Sequence, residues 1–497
     1  MKLNRTPALL GALMIVLVLA ACSRGNEELS AGPSAGVPSP SVSAADDMAA
    51  AETAEYVDPG LDFEGAEFIL YTWHPTTILN RIFFTDHYDG IDSAGLNGDS
   101  VNDAVYERTR LVEQQLGVTI TDLEYEVYDQ AGAYTKSVMA GDRMFDAVLG
   151  NLPFIRSINA ADSALIADLN DYGLNLGASW YNQNANIEYN IKGRQFCTTG
   201  DLCLYNSAAL GALFYNKNMI EAYGLETPYR QVYDGAWTLD RWEQYAKQVS
   251  GDLNGNGEHD LEDCYGISAS KTVMSMLTYS CGVRVSTKNA DGISELTLNC
   301  ERMQQVVDKA VRLLRDESIS LFAGVGRYQG SGTSLFLQNF LDDRLLFHFT
   351  WVYSAYEMRD MKADFGIVPF PKYDESQTDY HCVIASAYGT YLFLPVTCDK
   401  YDMAAPVLDA MGYYAQQMIT PVYIDSTVTD KLMRDEDSGR MIRILMDGRV
   451  YDLYDLYGWG RLGDIPSNLS FSNSTDFSSA YAAAEPAALL ALADTFR

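Results

Sequence analysis

The sequence predicts an α/β protein built as two lobes, each a mainly parallel sheet flanked by helices. Two observations lead there. Short apolar strands alternate with helix-spaced segments through most of the chain, which is the pattern of parallel sheets. Roughly 435 of the 497 residues follow a low-complexity N-terminal stretch, and that is too much chain for one simple core.

The N-terminus is read first. Lys2 and Arg5 form a short positive region ahead of an apolar run from Leu9 to Ala20. About a dozen residues are too few to span a bilayer, so residues 1–21 read as a signal peptide. The run ends in Leu19-Ala20-Ala21-Cys22, which resembles the lipobox of bacterial lipoproteins. That resemblance implies cleavage before Cys22, a diacylglycerol on its thiol, and a place on the extracytoplasmic face of the cell membrane. Each buried CH₂ of an acyl chain contributes about 0.8 kcal/mol to such an anchor. Residues 22–60 are rich in Ala, Ser, Pro, Gly and acidic residues, with no aromatic before Tyr56. Such a stretch buries too little apolar surface to order itself and reads as a linker. As a coil it reaches about 30–35 Å.

The formal charge is −32, and no Lys/Arg cluster stands out. Nucleic acid is therefore excluded as a partner, and the acidic surface is expected to serve solubility. Seven cysteines follow Cys22, at 197, 203, 264, 281, 300, 382 and 398. An odd number leaves at least one free thiol or an intermolecular bond. No Cys-x-x-Cys occurs, so a zinc ribbon or thioredoxin-type site is excluded; burial as small apolar residues is the default.

The elements follow in order. Phe68-Ile69-Leu70-Tyr71-Thr72 is a strand that runs into Trp73 and His74. Asp103 to Leu116 is a helix, with Val105, Leu111, Val112 and Leu116 on one side and Gly117 as terminator. Val118-Thr119-Ile120 and Phe145 to Leu149 are strands, with Asn151 just beyond the second. Leu213-Phe214-Tyr215 is a buried strand, and Asn216 is a cap for the helix that Gly224 ends. Thr238 caps a helix that carries Leu239, Trp242, Tyr245 and Ala246. Met303, Val306, Val307, Ala310, Leu313 and Leu314 make one face of a helix from Asn299 to Asp316. Leu345 to Phe349 is a strand ended by Thr350-Trp351; Cys382 to Leu394 is a return strand, and helices start near Ala404 and Gly439.

Several of these pieces together resemble one family. Tyr215-Asn216-Lys217, Gly224-Leu225, Trp237 and Trp242 match a strand–YNK–helix–Gly-Leu–loop–Trp pattern. Asp364-Phe365-Gly366-Ile367-Val368-Pro369-Phe370-Pro371 matches a second pattern, and the order from Glu64 to Leu445 matches throughout. The chain resembles the extracellular solute-binding lipoproteins that feed ABC importers, in particular the sugar-binding type. The resemblance implies a two-lobed periplasmic-binding-protein-like fold. Lobe 1 is expected over 61–204 plus 386–430, and lobe 2 over 205–385 plus 431–497. Residues Tyr451 to Leu469, with Trp459 and Arg461, match no pattern of the family.

One local motif stands apart. Asp252, Asn254, Asn256, Glu258 and Asp260 fill positions 1, 3, 5, 7 and 9 of a calcium loop, with Gly257 at position 6 and Asp263 at position 12. Asp rather than Glu at the last position is similar to dockerin repeats. Structural Ca²⁺ is the expected cofactor; a solvated Asn-Gly turn is the alternative.

The functional expectation follows from the resemblance: capture of a small solute, a mono- or oligosaccharide, between the lobes and delivery to the permease of an ABC importer. The chain is expected to be a monomer and not an enzyme. The alternatives are a secreted hydrolase acting on glycans and an adhesive or structural surface lipoprotein. In open α/β lobes ligands lie beyond the carboxyl ends of strands. Trp73, His74, Asn151, Tyr205, Trp351 and Tyr388 are therefore the expected ligand-binding residues, and Trp351 leads them because a Trp near this point lines the cleft in sugar-binding relatives.

Overall fold

The computed structural model describes residues 56–73, 95–125, 130–161, 165–323, 328, 333–358, 361–424 and 435–496. The first sheet opens with β1 (Ala66–Trp73). α1 (Ser100–Leu116) is capped by the Asp99 side chain, which accepts from the amides of Val101 and Asn102. It closes on Gly117 at φ 60°, a left-handed conformation that favours glycine, and a Cβ there would lie 2.0 Å from the Asp62 carboxylate. β2 (Val118–Tyr125) pairs parallel to β1 along its whole length, from Ala66↔Val118 to Trp73↔Tyr125. α2 (Gln130–Ala140) leads into β3 (Ala147–Asn151), which pairs parallel on the other side of β1.

β3 starts two residues later than the sequence suggests and includes Asn151. The reason lies in Asp146. Its backbone N–H reaches the carbonyl of Ile69, and its carboxylate accepts from the Ile69 amide and the Lys400 ammonium. Phe145 and Asp146 are thereby held by β1 and Lys400 rather than by a ladder. α3 (Leu152–Ala161) follows β3 directly, and α4 (Gln183–Tyr189) lies farther on.

The second sheet begins with β4 (Gly211–Asn216), and Asn216 caps α5 (Lys217–Ala222) through the Met219 amide, as the sequence predicts. Thr238 caps α6 (Leu239–Val249) through the Arg241 amide. Then come β5 (Tyr265–Ala269), α7 (Lys271–Ser280), α8 (Glu301–Leu314), β6 (Ser320–Phe322), β7 (Leu345–Trp351) and β8 (Phe365–Val368). The strand order is β6-β5-β7-β4-β8. β6, β5 and β7 run parallel, while β4 is antiparallel to both of its neighbours. The chain then returns to the first sheet as β9 (Thr390–Phe393), an antiparallel edge on β3. Both sheets are therefore mixed: a parallel set extended by antiparallel strands. α9 (Tyr401–Tyr414), α10 (Glu436–Asp447), α11 (Leu453–Tyr457) and α12 (Phe477–Thr495) complete the chain.

The first sheet is buried on both faces, and the period of two shows it. Phe68, Leu70, Ala147, Leu149, Leu392 and Leu394 fill the core on one side. Tyr71, Val148, Tyr391 and Phe393 point into a larger core that runs on to the second sheet. The residues that carried the family resemblance prove to be packing residues. Trp237 and Trp242 are fully buried, and the Trp237 indole donates to the carbonyl of Pro369 at 2.8 Å. A Cβ on Gly366 would lie 2.4 Å from the Tyr215 ring. The two motifs are two halves of one contact.

No disulfide joins the cysteines of the described residues; Cys300 is exposed and the others are buried. Among the described residues no helix is long and apolar enough to cross a membrane.

Candidate functional site

The chain passes between the sheets along two adjacent segments. Leu210 bridges Ile384, the Gly211 amide donates to the carbonyl of Val383 at 2.9 Å, and the Ala385 amide donates to the carbonyl of Ala209 at 2.8 Å. Asn206 locks the return segment. Its Nδ2 donates to the carbonyl of Thr390 and its Oδ1 accepts from the Thr390 amide, each at 2.7 Å. Gly389 lies tight against this clasp, since a Cβ there would sit 2.9 Å from Asn206 Oδ1 and 2.5 Å from Ile384.

Against this crossing lies a cleft of about 350 Å³. Its floor is the segment from Val383 to Tyr388. Leu152 and Arg156 of α3 face it from the first sheet, and Thr272, Met276 and Tyr279 of α7 from the second. The cleft thus sits beyond the carboxyl ends of β3, β5 and β7, the expected place in open α/β sheets.

Trp351 ends β7 opposite Gly211 and lines the cleft half-buried. Its ring meets Phe349 edge-on at 5.4 Å. A Cβ on Gly211 would lie 3.2 Å from the Trp351 ring and 2.8 Å from Met276 Sδ, so this glycine makes room for the indole. Tyr388 is half-buried in the cleft and stands at 88° to Tyr353. Trp351 and Tyr388 are thus brought together. Asn151 lies behind the wall: it is buried, its Nδ2 donates to the carbonyl of Ala387 at 2.9 Å, and its Oδ1 accepts from the Phe154 amide. Its polar atoms serve to tie α3 to the crossing. Tyr205 is buried in the core beside the crossing. Trp73 ends β1 opposite Tyr125, and His74 lies outside the described residues.

The sequence did not single out the charged residues of the cleft. Arg156 Nε donates to the carbonyl of Asp455 at 2.5 Å, with Nη2 3.7 Å from its carboxylate. The Tyr279 hydroxyl donates to the same carboxylate at 3.4 Å. Asp455 titrates at about 7: burial raises it most, the neighbouring Asp452 raises it further, and Arg156 opposes both. Burial also raises Asp452, but that carboxylate accepts from the amides of Val285, Ser286 and Tyr454 and from the Ser286 hydroxyl. The two carboxyls titrate as a pair, and Asp452 is the better hydrogen-bonded of the two. The segment that matched no pattern supplies this wall. Trp459 anchors it, stacked on Tyr457 and donating to the Thr495 hydroxyl of α12. A buried cap at Asp452 before an aromatic run was the available signal.

The loop from Asp252 to Asp263 is closed at its base by the Gly251–Cys264 pair. Asp252 accepts from the amides of Gly255 and Gly257, and the buried Asp263 from those of Leu253 and Asp260. Asn254 and Asn256 turn their amide nitrogens to Asp260, and their oxygens accept from the Asn256 and Glu258 amides. Among the described residues no group of three or more His, Cys, Asp and Glu is gathered as for a metal. The residue types are those of an oxygen-ligand site, and in this arrangement the carboxylates of Asp252 and Asp263 are taken up by backbone amides and that of Asp260 by the Asn254 and Asn256 amide nitrogens.

The fold is the two-lobed α/β architecture of the periplasmic-binding-protein type. Among solved structures, the chain resembles a cyclic α-maltosyl-1,6-maltose binding protein from Arthrobacter globiformis, with a TM-score of 0.56 at 15% identity over 86% of this chain and 99% of that one. It also resembles an ABC substrate-binding protein from Listeria monocytogenes solved with cycloalternan, with a TM-score of 0.53 at 13% identity over 85% and 98%. A third is the GacH receptor of Streptomyces glaucescens, solved free and with acarbose, with a TM-score of 0.52 at 12% identity over 86% and 99%. At these identities the likeness establishes the fold. No family model matches the sequence, and the search of curated proteins gives no match.

Proposed function

We propose that the chain is a binding protein that captures a carbohydrate in the cleft and delivers it to the permease of an ABC importer. The observation that carries this reading is Trp351, a half-buried indole at the mouth of a strand, in a cleft that also holds Arg156, Tyr388 and Asp455. An aromatic face stacks on a sugar ring, and charged hydrogen-bonding groups hold its hydroxyls. The sugar-bound structural neighbours support the same reading. Calorimetric titration with maltotriose, maltotetraose and a cyclic glucan, followed by product analysis, tests it. Binding without cleavage is the expected result; release of smaller sugars favours a hydrolase, and failure of a wide oligosaccharide panel to bind overturns the carbohydrate.

Two further parts belong to this proposal. Cys22 carries the lipid that tethers the body to the membrane, and the Asp252 loop holds a structural calcium ion.

A further inference from the structure

A second cavity, of about 490 Å³, lies against the same crossing. Asn184 and Glu188 of α4 line it together with Arg284, His381, Arg449 and Tyr451. It is separate from the cleft, because Arg284 faces this cavity while the next residue, Val285, faces the cleft. Asp452 pins the backbone between them through the Val285 and Ser286 amides.

The two guanidiniums are the unusual feature. Arg284 is half-buried and directs Nη1 to the carbonyls of Val283 and Tyr279, with its guanidinium 5.8 Å from the Tyr279 ring centre. Its Nε and Nη2 make no hydrogen bond among the described residues. Arg449 is also half-buried; its Nε donates to the carbonyl of Met446, and its two terminal nitrogens likewise make none. Neither forms an ion pair among the described residues, in a chain whose acidic groups far outnumber its basic ones. Burial pulls Arg284 below its usual range, and the charges of Asp452, Glu188 and Asp455 oppose it from beyond ion-pair distance. The arrangement is also rigid. Arg449 sits on a strand segment bonded to the crossing: the Cys382 amide donates to the Gly448 carbonyl at 2.7 Å, and the Val450 amide to the Cys382 carbonyl at 2.9 Å.

Two forked donors line one roomy cavity and together supply the charge and hydrogen bonds that an oxyanion takes. His381 adds no positive charge, since burial lowers it to about 4. Glu188, raised by burial and lowered by the charges of Lys288 and Arg284, lines the same cavity with Asn184, and both can take the hydroxyls of a ligand. Asp379 and Asp447 lie exposed at the rim, where water and salt screen them.

We infer that this cavity is a second binding site, for a small solute bearing a carboxylate or phosphate group held between Arg284 and Arg449. The site is independent of the carbohydrate reading of the cleft.

The test is a calorimetric and thermal-shift titration of the full chain with glucuronate, with inorganic phosphate and with neutral glucose. A carboxylate site responds to glucuronate and a phosphate site to phosphate, and glucose gives no response. Arg284→Gln and Arg449→Gln each weaken that response at least tenfold. Arg449→Lys, which keeps the charge but loses the fork, serves as a second variant should either Gln variant fail to fold, and it too must weaken binding. No response to either anion at millimolar concentration, or a response that survives these substitutions, overturns the site. Maltotriose is titrated into the same samples: its failure to bind bears on the cleft alone, and failure of both anions on this cavity alone.

Discussion

Arg156 and Asp455 join the two sides of the cleft: the guanidinium of α3 donates to the backbone carbonyl of Asp455 on α11 and faces its carboxylate. The folded protein raises that carboxylate from an ordinary 3.8 to about 7. Between those values the folded state holds a proton that the unfolded chain has released, so this group's contribution to stability is fully present below about 4 and is lost as the pH rises to about 7. Asp455→Asn removes that contribution. The melting temperature of the parent is expected to decline relative to the variant as pH rises from 4 to 7, measured by calorimetry in matched buffers. Parallel curves for the two proteins rule out the raised carboxyl.

Trp351 and Trp237 predict opposite outcomes. A sugar at ~100 times its dissociation constant stabilises the fold by about 2.7 kcal/mol. Trp351→Ala is expected to remove that stabilisation while lowering the ligand-free melt only modestly, because the indole is half-exposed. Trp237→Ala, which empties a fully buried site and frees the Pro369 carbonyl, is expected to cost about 3–5 kcal/mol with or without sugar. Unchanged sugar affinity in Trp351→Ala removes the indole from the site.

Asn206→Ala removes the hydrogen bonds that Asn206 makes with the amide and the carbonyl of Thr390 in a buried place, while the Thr199 hydroxyl still donates to that carbonyl. Each such hydrogen bond contributes about 0.5–1.5 kcal/mol. Denaturant unfolding is expected to show a lower midpoint, and Asn206→Asp, which keeps the acceptor but not the donor, an intermediate one. A midpoint equal to that of the parent contradicts the clasp.

If the Asp252 loop holds calcium, the parent melts higher in calcium than in chelator, and Asp252→Ala abolishes the difference. Asp263→Ala is expected to destabilise under both conditions, since that buried carboxylate also holds the Leu253 and Asp260 amides. Identical melts in calcium and chelator dismiss the ion.

The anchor is tested in cells. Cys22→Ala is expected to leave an unprocessed precursor or to release the protein from membranes. Retention with unchanged mass excludes the lipid.

The fold was far more legible in the sequence than the site. Asn216, Thr238 and Gly117 announce helix ends by local chemistry, and the YNK and FGIVPFP motifs are contiguous patterns. The antiparallel direction of β4 left no such trace, because strand direction depends on a partner distant in sequence. The site was half-legible for the same reason. Trp351 and Tyr388, next to a strand end and the crossing, were named by position and line the candidate cleft. Arg156, Tyr279 and Asp455 lie on helices, where a charged or aromatic residue looks like any other surface position until the crossing brings three segments together.

The return of the chain as β9 has a consequence for how the protein is made. The first sheet is not complete until Thr390 has reached Asn151, after the whole second sheet has been laid down between them. Pairings so distant in sequence form slowly. Until then β3 has an unpaired apolar edge, of the kind that recruits other chains. A fragment ending before residue 390 therefore carries a ready aggregation site, and a circular permutant that joins β9 directly to the first sheet would escape it.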